Sequence, residues 1–529
     1  MKKIFVELLF VTVFSVISLA QPLPVNYELG TSRLAKVADA TPASNSIERI
    51  LIRDNTIWLG TGNGLSKSTD NGTTWTNYYK SSVFGEEGIS ALGYYNGTIW
   101  AATWHSIDLG GGQIDGQGSG LKYSTDQGLS WTSITQPVDD RGDSSVVYGI
   151  NKLRALPVTA TQQNFTHSIG FTKNAIWIAS KAGGLRKSTD NGKTWQRVVL
   201  PPDYLDSIKP SDTLHFSMQV TAGKFGPEAY DNYEAFSILT VDDNTIYVGT
   251  VAGINKSTDG GISWIKFNHT NQSNPISGNY IWSMSLNEYD NSIWASTWRA
   301  NSSMEFNCIS RSQDGGKTWS NFLTGEQARE INFKYLGTSG SYIGADILAA
   351  TMNGLFRSSN NGTSWIAAPQ IKDDNSNSTI NTSTFLSVKT NRRSDNSTDI
   401  WIGTDNGLAR LNETTGFWTG SWKVFLASTN LAATTDSYAF PNPFSPNRQV
   451  VKIKYSTTES ASVTIRIMDF GMNLVRTVIQ NAQRVAKSQQ LEVWDGKDGN
   501  GRIVPNGVYF YRIDLGSGNP LFGKIMVLM

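Results

Sequence analysis

The stretch IWLGTGNGLSKSTDNGTTW, residues 57–75, decides the fold of this 529-residue chain. It returns as IWIASKAGGLRKSTDNGKTW at 176–195, as IYVGTVAGINKSTDGGISW at 246–264 and as ILAATMNGLFRSSNNGTSW at 347–365. Two longer copies run from Ile99 to Trp131 and from Ile293 to Trp319, and a degenerate copy runs from Ile400 to Trp418. Seven copies of one motif indicate a repeat architecture.

Each copy is a set of short segments rich in Ile, Val, Thr and Trp, separated by Asn-Gly, Gly-Gly or Asp-Gly turns. Such segments favour strands joined by tight turns. The final tryptophans of successive copies lie 46 to 69 residues apart, which suits four strands with loops of variable length. We therefore predict an all-β chain with a seven-bladed β-propeller at residues 47–426. A β-sandwich would not explain one motif repeated seven times.

Most copies end in the box S/T-x-D-x-G-x-T/S-W. Its aspartate lies five residues before the tryptophan in five copies, as Asp70, Asp126, Asp190, Asp259 and Asp314. An aspartate there can accept backbone N–H bonds within a hairpin turn, the glycine supplies a positive φ, and the tryptophan packs into the sheet. Copy six has Asn360 instead, and copy seven has Glu413 and has lost the pattern. Because the boxes are spread around the ring, we expect these aspartates to be structural, neither catalytic nor calcium-binding.

The pattern resembles the Asp-box, or BNR, repeat of sialidases, sortilin-type receptors, photosystem II assembly factors and xyloglucan hydrolases. The resemblance covers about 380 residues. It implies a propeller but no shared activity, because those families have the turn in common and not the chemistry. Sialidases require an arginine triad and typically an Arg-Ile-Pro strand, and this tripeptide does not occur in the sequence. Xyloglucan hydrolases of this class use two propellers, whereas this chain has repeats for one.

Copies two and five carry extra residues between their second and third predicted strands. Both insertions open with Thr-Trp, followed by His105 in copy two and Arg299 in copy five. Elaborated loops on a rigid scaffold are where binding usually resides. We therefore predict ligand-binding roles for Trp104, His105, Trp298 and Arg299. The alternative is that the two tryptophans only hold their loops against the propeller. The long connection from Trp195 to Tyr247 adds carboxylates to the same face.

The N-terminus predicts export. Lys2 and Lys3 precede an apolar run from Ile4 to Leu19, and Ser18-Leu19-Ala20 supplies small residues before Gln21. This pattern is typical of a secretory signal peptide at residues 1–20, with 21–46 as an N-terminal segment. An uncleaved anchor is the alternative, although the run is short for a spanning helix. We predict no stable membrane span in the mature chain and a secreted or cell-surface location.

The C-terminal residues 438–529 predict a second domain, which follows a Ser/Thr/Ala-rich linker at 427–437. Short alternating strands favour a small β-sandwich. The PNPF opening at 441–444, the WDGKDGNG turn at 494–501 and VPNGVYFYRI at 504–513 resemble the Ig-like module of flagellar hook-assembly proteins. They also resemble the C-terminal sorting domain of type IX secretion cargo. The second resemblance implies an outer-membrane secretion machinery as partner; an ordinary Ig-like spacer is the alternative.

The composition argues against two classes of function, nucleic-acid binding and metal binding. Lys plus Arg (45) balances Asp plus Glu (44), so the chain has no electrostatic footprint for nucleic acid. One cysteine, Cys308, and four histidines argue against a metal site, and we predict no cofactor. The sequence thus predicts an exported propeller that binds a glycan or protein ligand. The alternatives are a glycoside hydrolase that uses carboxylates on the loop-bearing face, and a structural component of the cell envelope or a filament.

Overall fold

Antiparallel β-sheets of four strands dominate the structure. It is a computed structural model that describes residues 39–110, 113–218, 230–338, 341–376, 378–393, 395, 397–414, 416–427, 436–447, 450–516 and 518–529. The predicted signal peptide and residues 21–38 lie outside the described residues, as does most of the predicted linker. All the described residues belong to one packed unit, which spans 38–529. No helix within the described ranges has the length and apolar composition needed to cross a membrane.

Seven of these sheets follow one another along residues 47–425, and within each sheet consecutive strands pair. The strands of blades one and two are Ile47–Arg53, Thr56–Thr61, Gly64–Ser68 and Thr76–Asn77, then Gly88–Tyr95, Thr98–Asp108, Ile114–Ser124 and Thr132–Ile134. Those of blades three and four are Thr166–Thr172, Ala175–Ser180, Gly184–Ser188 and Gln196–Arg197, then Ala235–Thr240, Ile246–Thr250, Gly253–Ser257 and Trp264–Phe267. Those of blades five and six are Tyr280–Asn287, Ser292–Trp298, Cys308–Ser312 and Ser320–Phe322, then Ala328–Thr338, Ser341–Thr351, Gly354–Ser358 and Ile366–Ala367. Blade seven consists of Phe385–Arg392, Thr398–Thr404, Gly407–Glu413 and Gly420–Phe425.

The blades form a closed ring. The first strand of each blade contacts the first strand of the next, and that of blade seven contacts that of blade one. At the closure, the Gly407 N–H donates to the Asn45 carbonyl at 2.8 Å, and the Ser387 hydroxyl donates to the Ile47 carbonyl at 3.0 Å. The predicted β-propeller is confirmed by this strand order and closure.

Apolar cores fill the spaces between neighbouring blades. Ile57, Trp58 and Leu59 are consecutive residues of one second strand and all three are fully buried, because each face of a blade packs against a neighbour. Trp75 lies in the core between blades one and seven, with its ring centroid 6.3 Å from that of Trp401. A strand buried on both faces reads as a continuous apolar run, which is why each repeat begins with one.

The connections on either side of blade three contain structure that the sequence did not predict. Ser145–Tyr148, Asn151–Ala155 and Ser217–Met218 form a three-stranded sheet, Ser207–Ile208 adds a fifth strand to blade four, and Asp231–Tyr233 form a short 3-10 helix. Leu153, Met218 and Tyr230 join one core with Trp177 and Trp264 of the blades. These long connections are therefore packed parts of the propeller.

Residues 438–529 form two sheets around a core of their own. Tyr438–Phe440, Val451–Thr457 and Lys487–Trp494 make one sheet, and Leu474–Arg484, Ala461–Met468, Gly507–Asp514 and Leu521–Val527 make the other. Tyr455 and Trp494 of the first sheet and Tyr511 and Ile525 of the second share this core, and each is at most 1% exposed. The segment has the layered arrangement of an independently packed β domain.

Candidate functional site

The aspartates of the five boxes hold their own turns. In blade one the Ser68 hydroxyl and the Thr74 N–H both donate to Asp70 Oδ1, each at 2.8 Å, and the Thr74 hydroxyl donates to Asp70 Oδ2 at 2.6 Å. Asp126, Asp190, Asp259 and Asp314 accept the same three bonds. Bonds from the Thr194 hydroxyl and N–H lower the pKa of Asp190 to about 2. The oxygens of these carboxylates are thus occupied within the turn.

The two divergent copies keep part of this geometry. In blade six Asn360 Oδ1 accepts the Ser364 N–H at 2.9 Å, and its Nδ2 donates to the Ser364 hydroxyl at 2.8 Å. In blade seven Glu413 Oε1 accepts the Trp418 N–H at 2.9 Å. Box turns also join neighbouring blades, since Arg410 of blade seven donates to the Asn71 carbonyl of blade one at 2.8 Å. The boxes lie apart around the ring and do not converge on one place.

Each innermost strand carries a β-bulge near its start, and the extra residue falls at the same register in all seven blades. Bulges re-aim a side chain and often lie beside functional sites. We call this set the bulge ring. Its members in blade order are Glu48, Ser90, His167, Phe236, Trp282, Arg329 and Leu386.

Bulge residues of four consecutive blades contact one another. The ring centroids of His167 and Phe236 are 4.7 Å apart, those of Phe236 and Trp282 are 5.9 Å apart, and Arg329 Cζ lies 4.1 Å from the Trp282 ring centroid. The starts of the innermost strands therefore bring three aromatic rings and a guanidinium together, although these residues are far apart in sequence.

A cavity of about 400 Å³ opens beside these rings, and we call it the mouth cavity. It lies on the face where second strands turn into third strands, opposite the boxes. Its lining residues are Trp104, Asp115, Gly116, Gln163, Phe165, His167, Lys181, Glu234, Phe236, Val251, Tyr280 and Trp282. Aromatic walls with a few polar side chains are typical of sites for small ligands.

Two of the four predicted ligand-binding residues belong to this aromatic region. Trp104 lines the cavity and stacks on Phe165, with centroids 5.3 Å apart. Trp298 stacks on Trp282 at 4.9 Å with nearly parallel planes, but it is only 8% exposed, and its Nε1 donates to the Ala328 carbonyl at 3.0 Å. Trp298 is therefore placed to support Trp282 from behind and does not present its ring to a ligand.

The other two predicted residues lie elsewhere. His105 Nδ1 lies 3.1 Å from Glu87 Oε2 and 2.9 Å from the Ser119 hydroxyl. His105 lines a neighbouring cleft of about 650 Å³, which Trp104 also lines and which is shared with residues of the C-terminal domain, such as Arg484. Arg299 Nε donates to the Ser302 carbonyl at 3.1 Å within its own loop. Neither residue lines the mouth cavity.

Burial and nearby charges set the protonation state of His167. Its Nε2 is buried and has no hydrogen-bond partner in the described part of the chain. Burial, together with the positive charges of Arg49, Arg329 and Lys181, lowers the pKa of His167 to about 3. The imidazole is therefore neutral at neutral pH. Burial and the charge of Arg49 lower the pKa of Arg329 to about 10, so this guanidinium stays positive.

Two carboxyl groups of the mouth cavity have pKa values shifted in opposite directions. Burial raises the pKa of Glu234 above its usual value. The Gln162 side chain, which donates to Asp115 Oδ2 at 3.0 Å, is the main cause that lowers the pKa of Asp115. No group of three or more His, Cys, Asp or Glu side chains suited to a metal ion occurs within the described ranges.

The bulge ring could not be predicted from the repeat, because the innermost strands precede the repeated motif. A signal was available: Glu48, Ser90 and His167 each lie ten residues before the first tryptophan of their copies. That spacing changes in later blades as the first hairpin lengthens, so the register emerges only from the strand pairing.

No protein-family model and no curated protein matches this chain. Among solved structures, it is similar to an ancestral GH74 enzyme, with 14% identity, a TM-score of 0.49 and coverage of 93% of this chain; it spans 63% of that enzyme's length. It is also similar to YCF48 bound to D1 peptide, with 14% identity, a TM-score of 0.39 and coverage of 72% of this chain and 96% of the other. PorZ, an essential surface component of the type IX secretion system of Porphyromonas gingivalis, has 13% identity, a TM-score of 0.20 and coverage of 92% and 87%. All three TM-scores are below 0.5, so the propeller assignment rests on the strand order and ring closure.

Proposed function

We propose that this chain is an exported propeller that binds a glycan or protein ligand in the mouth cavity. The observation that carries the proposal is the row of aromatic rings from Trp104 through Phe165, His167 and Phe236 to Trp282. Rings that line an open cavity supply large contact areas at little entropic cost. The cavity volume of about 400 Å³ lies within the range of small-ligand sites.

The five box aspartates have a structural role in this proposal. Their hydrogen bonds stay within the box turns, which lie on the face opposite the mouth cavity. The box of blade four lies beside the turn between the first and second strands, because the Gly260 N–H donates to the carbonyl of Asn244 in that turn. A ligand on the loop-bearing face would not reach them.

A glycoside hydrolase is the second candidate, and one observation favours it. Glu234 and Asp115 line the same cavity; the pKa of Glu234 is raised and the pKa of Asp115 is lowered. A carboxyl with a raised pKa beside an ionised carboxylate is the pattern of a general acid and its partner in glycoside hydrolysis. Release of reducing ends from a bound glycan, abolished by Glu234→Gln, would establish this activity.

We further propose that residues 1–20 direct export and that residues 438–529 are an Ig-like sorting domain read by an outer-membrane secretion machinery. The separate core around Trp494 and Tyr511 supports this proposal, because a segment with its own core can present a recognition surface to the secretion machinery. The resulting location is the cell surface or the surrounding medium.

A glycan array and a surface-protein pull-down with the mature full chain test the binding proposal. Trp104→Ala should weaken capture of the selected ligand about tenfold or more, because an aromatic anchor contributes on the order of 1–3 kcal/mol. Leu129→Ala is the matched control, since this apolar side chain is 88% exposed on a box turn. Equal affinity of the Trp104→Ala variant and the unmodified chain would contradict a site in the mouth cavity.

A further inference from the structure

The bulge ring is chemically asymmetric, and this asymmetry bears on the ligand of the proposed site. Aromatic members come from blades three to five, whereas blades six and one contribute Arg329 and Glu48. Arg49 adjoins Glu48 in the first blade, and its Nη1 donates to the Glu48 carbonyl at 2.9 Å. Both arginines are close enough to act on the charge of His167. The aromatic wall therefore ends at two arginines beside Glu48, whose charge acts on Arg329 in the direction opposite to that of Arg49.

Two nitrogen atoms lie buried where the aromatic wall meets the arginines. His167 Nε2 and Arg329 Nε are both buried, and neither has a hydrogen-bond partner in the described part of the chain. A buried donor without a partner is unfavourable, so native proteins satisfy most such groups. The guanidinium of Arg329 instead packs on Trp282: its Cζ lies 4.1 Å from the Trp282 ring centroid and 5.9 Å from that of Trp298.

Cations dominate the charges that act on His167, although Asp115 and Glu234 line the same cavity. The three charges that act on it, those of Arg49, Arg329 and Lys181, are all positive. These cations oppose protonation of the imidazole, and the same field would favour an anionic group placed against it. The imidazole N–H and the guanidinium N–H groups can then both donate to an acceptor.

We propose that the ligand is an acidic glycan whose carboxylate binds beside His167 and Arg329, while its sugar rings contact Trp104 and Trp282. This inference rests on the proposed binding function and names the class of ligand for the same cavity. The carboxylate provides the acceptor that the two buried nitrogens lack. Bonds between charged donors and a carboxylate are about twice as strong as neutral ones.

The rim of the cavity favours a sugar over a peptide. Asp115 and Glu234 are acceptors, and Gln163 offers an amide; its Nε2 donates to Asp115 Oδ2 at 2.9 Å. Sugar hydroxyls donate to carboxylates and stack their C–H faces on aromatic rings. A peptide that ends in a carboxylate would satisfy the cations but supplies fewer hydroxyl donors for the rim.

The test compares acidic oligosaccharides with uncharged counterparts of the same length. The mature full chain is titrated calorimetrically with uronic-acid oligosaccharides, each paired with its carboxyl-reduced form. We expect the acidic member of at least one pair to bind tenfold or more tightly. His167→Phe keeps an aromatic ring but removes the nitrogen, and it should lower the affinity for the acidic member roughly 10- to 100-fold, as expected for a lost bond to a charged group, while affinity for the reduced form changes little. Arg329→Met should do the same.

Lys193→Gln is the matched charge control, because Lys193 is exposed on a box turn of the opposite face. This change should leave the preference unaltered. A second readout uses the small number of histidines, four in the chain. The imidazole nitrogen signal that is lost in His167→Phe should shift when the acidic oligosaccharide is added and not when the reduced form is added.

The outcomes separate the ligand class from the binding function. Equal affinity for the acidic and reduced forms would overturn the acidic-glycan inference and leave a glycan-binding site in place. Binding of a peptide with a free C-terminal carboxylate, without binding of any oligosaccharide, would also overturn it. If neither oligosaccharides nor peptides bind, the proposed function fails as well.

Discussion

A buried ion cluster joins blades six and seven, and its disruption gives the sharpest test of how this ring is held together. Arg357 Nε and Nη2 donate to Asp346 Oδ2 at 3.1 and 2.5 Å, and its Nη1 donates to Glu413 Oε1 at 2.5 Å. Lys334 also pairs with Glu413, and the Arg357 guanidinium lies 4.1 Å from the Phe417 ring centroid. The cluster therefore replaces the missing box of copy seven.

Arg357→Ala should lower the free energy of unfolding by about 3–5 kcal/mol, the usual cost of removing one partner of a buried ion pair. The Arg357 and Asp346 side chains are only 2% and 6% exposed, so water cannot replace the lost partner. Glu413 would keep Lys334 and the Trp418 N–H, whereas Asp346 would lose both of its guanidinium bonds. Most of the loss should thus arise at Asp346.

Guanidinium unfolding followed by tryptophan fluorescence measures this loss. Sixteen of the 17 tryptophans precede residue 438, so the signal reports on the propeller. Arg311→Ala is the matched control: Arg311 has the same register in blade five and also packs on an aromatic ring, that of Trp294, but its partner Asp290 is 19% exposed. The control should lose less, because Asp290 has more access to water than Asp346 and keeps the bonds from the Ser292 N–H and hydroxyl.

The double variant Arg357→Met/Asp346→Leu distinguishes charge from packing. Apolar replacement of both partners of a buried pair is often neutral or stabilising, so this variant should recover most of the lost stability. If Arg357→Ala costs no more than Arg311→Ala, or if the double variant is no more stable than the single one, the cluster does not hold the seam as reasoned.

Four further predictions concern the boxes, the aromatic row and the C-terminal domain. Asp190→Ala should lower the melting temperature, whereas Asp190→Asn should be tolerated, since Asn360 already holds the equivalent turn; thermal unfolding of both variants checks this. The pKa values of Asp126 and Asp190 are lowered from 3.8 to about 2, mainly by hydroxyl bonds, so their stabilisation is present above pH 4 and is lost as the pH falls towards 2; melting temperatures across that range should fall, less so in the Asp190→Asn variant. Trp298→Ala should reduce stability as well as ligand affinity, because the ring is buried. Deletion of residues 438–529 should leave a folded propeller in the periplasm of the native host, which cell fractionation would detect.

Each of these expectations has a clear contrary result. A well-folded Asp190→Ala chain with full stability would remove the structural role of the boxes. A flat stability profile between pH 4 and 2 would contradict the contribution of the two carboxylates. Unchanged stability of Trp298→Ala would place the indole outside the core, and normal surface delivery of the truncated chain would contradict the sorting role.

The propeller could be predicted because its evidence is local. Asp70, Gly72 and Trp75 lie within one turn, and the same short-range bonds recur from blade to blade. A repeated local motif thus fixes the strand order even where single strands are short. The extra sheet that contains Leu153 and Met218 was missed because its hairpin at 145–155 belongs to no repeated motif and its third strand pairs across more than sixty residues.

The candidate site was predicted only in part. Thr-Trp at the start of the two insertions led to Trp104, which lines the cavity, and to Trp298, which lies behind it. His167 and Arg329 could not be found from spacing, since they meet only when separate blades close into a ring. The ion pair between Arg357 and Glu413 could not be predicted for the same reason, because the two residues lie 56 positions apart in different blades.

Oxidative footprinting of the mature chain saturated with the ligand selected by the array tests the central claim most directly. If the mouth cavity is the binding site, ligand should protect Trp104, Phe165 and Tyr280, while Leu129 on the opposite face reacts as in the free protein. Protection of Leu129 and the box turns, with Trp104, Phe165 and Tyr280 unchanged, would contradict the account.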